Sequence, residues 1–86
     1  MTLFRLLRRQ PPSYVVKCAW DDGAQVWYVA DSNVPGLATE APTAEAMMAK
    51  LRVMIPELVE ENDGLEPGAT VPFELLYSRQ EVLHFG

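Results

Sequence analysis

Residues 14–31 read YVVKCAWDDGAQVWYVAD, two runs rich in β-branched and aromatic side chains on either side of Asp21-Asp22-Gly23. Such side chains fit a pleated, half-buried surface. In the first run, Tyr14, Val16, Cys18 and Trp20 fall on one face, and Val15, Lys17 and Ala19 on the other, the period-two alternation of a strand. Asp and Gly tolerate the positive φ of tight turns, so Asp21-Asp22-Gly23 predicts a hairpin, with Gln25–Asp31 as its second strand.

Beyond the hairpin, Asp31-Ser32-Asn33 and Val34-Pro35-Gly36 each turn the chain, leaving Leu37–Glu40 for a short third strand. Pro42-Thr43 then opens a helix. Thr43 is the expected N-cap, and Glu45 suits the positive end of the helix dipole. Met47, Leu51, Met54, Ile55, Leu58 and Val59 recur at helical spacing and should face the sheet. Pro56 interrupts this pattern and predicts a kink or break, because it lacks a backbone donor and clashes with the preceding turn. Asn62-Asp63-Gly64 is a stop signal, with Gly64 as the cap.

After Glu66-Pro67-Gly68, alternation returns over Val71–Ser78, with Phe73, Leu75 and Tyr77 on one face. Residues 80–85 either extend this strand or pair with another chain. The order β-β-β-α-β predicts an α+β domain: one helix on a small, mainly antiparallel sheet. On the N-terminal side, Gln10-Pro11-Pro12-Ser13 separates a basic arm, residues 1–12, from a single domain over residues 13–86.

The chain has 86 residues, 49 % of them hydrophobic and 22 % charged, an ordinary globular composition for one small domain. A domain of this size buries roughly 60 % of its extended surface, so a second copy is expected to cover the sheet face the helix leaves open. The formal net charge is −5, yet Arg5, Arg8 and Arg9 all precede residue 10. From there on, four basic residues face twelve acidic ones. An acidic body argues against non-specific nucleic-acid binding and suits a basic protein partner. No apolar run approaches the roughly 20 residues of a membrane span, and the arginines within MTLFRLLRRQ break any secretory leader. The single cysteine, Cys18, fits a reducing, cytoplasmic compartment.

Chemistry-bearing residues are few. One cysteine and one histidine, His84, leave no His/Cys cluster for zinc, and no cofactor is implied. Cys18 lies on a strand between Val16 and Trp20, the setting of a structural thiol rather than of a nucleophile paired with His84. Trp20, Trp27 and Tyr28 lack the interleaved Lys and Arg of a base-stacking surface, so packing is the expected role. Asp21, Asp22, Asp31 and Glu40 sit at strand ends. Turn chemistry accounts for the aspartates; the alternative is a metal-dependent nuclease of RNase H-like type using Asp21, Asp31 and Glu40. Glu57, Glu60, Glu61, Asp63 and Glu66 form a second acidic group at the helix end, unfavourable for the dipole and therefore solvated or facing a basic partner. The basic arm, with Leu3, Phe4, Leu6 and Leu7 among its arginines, reads as an unstructured leader or as a short amphipathic element.

Several runs together resemble a known family: Trp20-Asp21, Val26-Trp27, Val34-Pro35-Gly36-Leu37, Thr39-Glu40, Thr43-Ala44-Glu45-Ala46 and Ile55-Pro56-Glu57-Leu58. They are similar to the HicB-like antitoxin superfamily, in particular its short single-domain subgroup of unknown function, and the likeness spans about residues 14–77. The resemblance implies a partial RNase H-like fold. It further implies a non-enzymatic, antitoxin-like interaction domain that occludes a small basic RNA-cleaving toxin of the HicA type. Family members usually carry a separate DNA-binding domain, for which this length leaves no room, so nucleic-acid binding is not expected. The expected partner face comprises Asp31, Val34, Leu37 and Glu40 with the helix-end acids Glu57, Glu60 and Glu61, in a homo-oligomer, most simply a dimer. A free-standing oligomeric module without a toxin is a further alternative.

Overall fold

A computed structural model describes residues 14–86. The basic arm therefore lies outside the described residues. Within them the order is β1 (Tyr14–Asp21), β2 (Val26–Ser32), β3 (Glu40–Ala41), α1 (Ala44–Asp63) and β4 (Phe73–Ser78). The four strands form one sheet in the order β3-β2-β1-β4. β1 pairs antiparallel with β2 and β2 with β3, while β4 lies parallel to β1. The sheet is mixed, the α+β class is as expected, and the parallel β1–β4 pair follows from the helical crossover between β3 and β4.

The β1–β2 hairpin closes through a four-residue loop. Gln25 N–H donates to the Asp21 carbonyl at 2.7 Å, and Ala24 N–H to Asp21 Oδ1 at 3.1 Å. The positive φ falls on Gln25, at 59°, and not within Asp-Asp-Gly. The Gln25 side chain offsets that conformation by donating to the Asp22 carbonyl at 2.7 Å.

The third strand is shorter and later than the sequence suggests. Gly36 turns at φ 71° and Leu37 N–H bonds back to the Val34 carbonyl at 3.3 Å, so the chain reaches β2 only at Thr39, whose carbonyl accepts Val29 N–H. α1 begins as expected, with Thr43 extended and its hydroxyl accepting Ala46 N–H at 3.0 Å. It then runs unbroken through Pro56, contrary to the expected interruption. Pro56 and Arg52, four residues earlier, are both exposed, so the Arg52 carbonyl that loses its helical donor is left on the solvent side. The helix stops at Gly64, φ 76°, whose N–H bonds to the Val59 and Glu60 carbonyls.

One face of the sheet carries the core. Val16 and Cys18 of β1 meet Met47, Leu51, Ile55 and Val59 of α1, with Val34 and Ala41 closing the end of the cluster. The six predicted helix positions all turn inward, Met54 and Leu58 being half-buried. Tyr14 Oη donates to Asp63 Oδ2 at 2.8 Å, tying the start of β1 to the last turn of α1.

Candidate functional site

The face opposite the helix is uncovered by any described residue. Its first row runs Glu40, Tyr28, Ala19, Ser78 across the four strands; the second runs Asp31, Lys17, Leu76; the third pairs Val15 with Glu74. Tyr28 and Leu76 are exposed apolar groups, framed by the exposed Glu40, Asp31 and Glu74 with Lys17 between them. A face that sets two separate apolar groups among three carboxylates and one lysine suits a protein surface on which basic groups predominate.

Asp31 reaches this face through a bulge. Lys17 pairs with Asp31 and Cys18 with Val29, so Ala30 has no partner across the ladder. Strict alternation from the outward Tyr28 would place Asp31 beneath the helix; the extra residue leaves Ala30 and Asp31 both outward. Ser32 is displaced in the opposite sense, and its hydroxyl accepts Val34 N–H at 2.9 Å. Beside the bulge, Val15, Lys17, Asp31, Ser32 and Asn33 line an open depression of about 300 Å³. Asn33 Oδ1 accepts Val15 N–H at 2.7 Å and fixes its rim.

The sequence-based contact set is not one surface. Asp31 and Glu40 lie on the open sheet face, whereas Glu57, Glu60 and Glu61 lie on the solvent side of α1, with the sheet and core between. Val34 is a core residue, 3 % exposed, and Leu37 packs against that core, so these two hold the β2–β3 connection rather than present a contact. A Val-Pro-Gly-Leu turn looks solvent-facing in sequence, but Gly36 lets it fold back onto the helix, where Leu58 approaches within 3.8 Å of the position a Cβ would occupy. Tyr28, Lys17, Glu74 and Leu76 were not among the expected residues. Their signal was the outward half of the alternation in β1, β2 and β4.

The carboxylates of the nuclease alternative do not converge. Asp21 is engaged in the hairpin loop, Asp31 faces Lys17, and Glu40 stands beside Tyr28 on the edge strand. Among the described residues, no group of three His, Cys, Asp or Glu side chains is placed to hold a metal ion. Cys18 is buried, and burial raises its thiol pKa, away from nucleophilic use. His84 is exposed in the C-terminal segment.

On the helix side, at the hairpin end of the sheet, three aromatic rings pack edge to face. Trp20 and Trp27 have centroids 5.3 Å apart, and Trp27 and Tyr77 4.9 Å. The Arg79 guanidinium sits 4.5 Å from the Trp20 ring centre. Tyr77 Oη donates to the Ala44 carbonyl at 3.0 Å, and burial, ahead of the negative charge of Cys18 and Glu45, raises its pKa. Trp20 and Trp27 pack as the sequence suggested, joined by Tyr77, whereas Tyr28, expected to pack with them, is exposed on the open face.

A family model described as a domain of unknown function, DUF1902, matches residues 13–85. No curated protein matches the chain. Among solved structures, the chain is similar to a hypothetical protein, TTHA1013, from the extremely thermophilic bacterium Thermus thermophilus. The two are 44 % identical over 83 % of this chain and 99 % of that one, with a TM-score of 0.56. No helix among the described residues is long and apolar enough to cross a membrane.

Proposed function

We propose, from the premise that the chain belongs to the DUF1902 family, that it is an antitoxin-like interaction domain whose open sheet face binds a small basic protein. Occlusion by contact is its mode of action, and a HicA-type RNA-cleaving toxin is the expected partner. The observation that carries this reading is the composition of that face: Tyr28 and Leu76 are exposed amid Glu40, Asp31 and Glu74, against a single basic group, Lys17. Isolated surface apolar residues need no explanation, but two within an acid-rimmed sheet face are suited to a partner of opposite charge. The HicB-like runs over residues 20–62 support the same reading. Asp31 and Glu40 remain in the contact set, Tyr28, Leu76 and Glu74 join it, and the helix acids Glu57, Glu60 and Glu61 serve as solvated charge that speeds encounter with a basic protein. Cytoplasmic action follows from the nature of that partner.

The test is co-expression with the product of the adjoining reading frame. The reading requires a small basic protein there that arrests growth alone and is neutralised, and co-purified, with this chain. A neighbour that is acidic, or that arrests growth equally in the presence of this chain, contradicts it.

A further inference from the structure

Val82, Leu83 and Phe85 are 83 %, 88 % and 106 % exposed, an unusual state for three large apolar side chains within four residues. They follow β4 directly, and β4 is an edge of the sheet. Among the described residues nothing pairs with its outer side. Natural edge strands are usually blunted by Lys, Pro or a bulge. Phe73-Glu74-Leu75-Leu76-Tyr77-Ser78 has no Lys or Pro and a single charge, Glu74, near its start, and its pairing with β1 runs without a register shift.

We propose that residues 79–86 are an exchanged arm: each copy adds its arm to the β4 edge of a second copy, antiparallel, about a two-fold axis at Gln80. Three observations fix the occupant and register. The arm continues the alternation of β4, since Arg79 stacks on Trp20 on the helix side and Arg79 Nε lies 3.2 Å from Glu81 Oε1, two residues on and on the same side. Continued, that alternation places Leu83 and Phe85 on the helix side and Val82 on the open side. An axis at Gln80 then sets Leu83 against the partner's Tyr77 and Phe85 against the partner's Leu75, covering side chains the monomer leaves partly exposed. The same axis sets Arg79 opposite the partner's Glu81, and Glu81 opposite the partner's Arg79, so the ion pair within each copy is exchanged for two between copies. The contact is isologous and closes as a dimer, joining two four-stranded sheets edge to edge. It leaves the open face free, and so stands or falls separately from the reading above.

Sedimentation of the full chain at micromolar concentration should give a dimer. Leu83→Asp combined with Phe85→Asp should give a monomer with unchanged circular dichroism. Arg79→Glu alone and Glu81→Arg alone place like charges across the axis and should each raise the dimer dissociation constant by about tenfold or more. An equimolar mixture of those two variants should restore association as a heterodimer. Gln80→Cys, meeting its own copy at the axis, should form a covalent dimer on mild oxidation; Val82→Cys, opposite the partner's Ser78, should not. A monomeric wild type, a dimer that survives the double aspartate change, no recovery on mixing, or equal crosslinking through both cysteine variants would overturn the proposal.

Discussion

Lys17 of β1 stands opposite Asp31 of β2, while the next residue, Cys18, stands opposite Val29. The unpaired residue between, Ala30, turns a carboxylate outward that regular pairing would have placed under the helix. A bulge commonly re-aims a side chain in this way. Here it brings Asp31 beside Lys17 on the same face as Tyr28 and Glu40, and it frees Ser32 to fasten the turn at Val34.

That register makes a deletion informative. Removing Ala30 leaves every other β1–β2 partner in place, so the shortened chain should fold with a melting temperature near that of the parent. Removing Ala19 from β1 instead leaves one residue, Cys18, facing three of β2 between the Lys17–Asp31 and Trp20–Trp27 pairs, breaks the register with β4, and should abolish cooperative unfolding. Thermal denaturation of both variants, followed by near-ultraviolet circular dichroism, distinguishes the two outcomes.

The core is small enough that one truncation matters. Leu51 is fully buried between β1 and the helix, and Leu51→Ala should cost about 2–5 kcal/mol in urea denaturation. For the same reason Cys18 should stay unmodified by a thiol reagent in the folded protein and react fully on unfolding.

Pro56 is exposed in the interior of α1. Pro56→Ala supplies a donor to the Arg52 carbonyl and relieves the ring clash, and should stabilise the domain by about 1–3 kcal/mol. The midpoint of urea unfolding should rise with the slope unchanged.

Much of this architecture was legible in the sequence because its signals are local. The N-cap at Thr43, the inward stripe from Met47 to Val59, and the stop at Gly64 each depend on neighbours within one or two turns. The continuity through Pro56 was within reach of the same stripe, which puts Arg52 and Pro56 on the solvent side, where the carbonyl that loses its donor is open to water. The bulge at Ala30 was not legible, since an extra residue in one strand is defined only against its partner. The open sheet face was legible in half. Its acids Asp31 and Glu40 stood out, but charge alone grouped them with Glu57, Glu60 and Glu61, which the fold carries to the far side of the core. Val34 and Leu37 misled because Gly36 bends an apparently solvent-facing turn back onto Leu58.

The Tyr14–Asp63 bond makes stability sensitive to alkali. The pKa of Tyr14 is raised above its ordinary 10.0, first by its hydrogen bond to Asp63, then by burial and the carboxylate charge. A raised tyrosine pKa stabilises the folded state fully below the unfolded value, and that contribution is lost as pH climbs through the folded value. Tyr77 is raised as well, chiefly by burial, and adds to the same limb. Stability should therefore fall above about pH 10, and Tyr14→Phe should flatten part of that fall while lowering stability at neutral pH. Urea midpoints of both proteins across the alkaline range provide the check.

The central claim is that the open sheet face, not the acidic helix, grips a basic partner. Calorimetric titration of the small basic protein that the proposed function requires in the adjoining reading frame should be compared for two charge reversals, Glu40→Lys with Glu74→Lys and Glu57→Lys with Glu60→Lys. The account predicts a loss of about a hundredfold or more in affinity for the first pair, while the second stays within about fivefold of the parent. Equal losses for both pairs, or a loss confined to the helix pair, would contradict it.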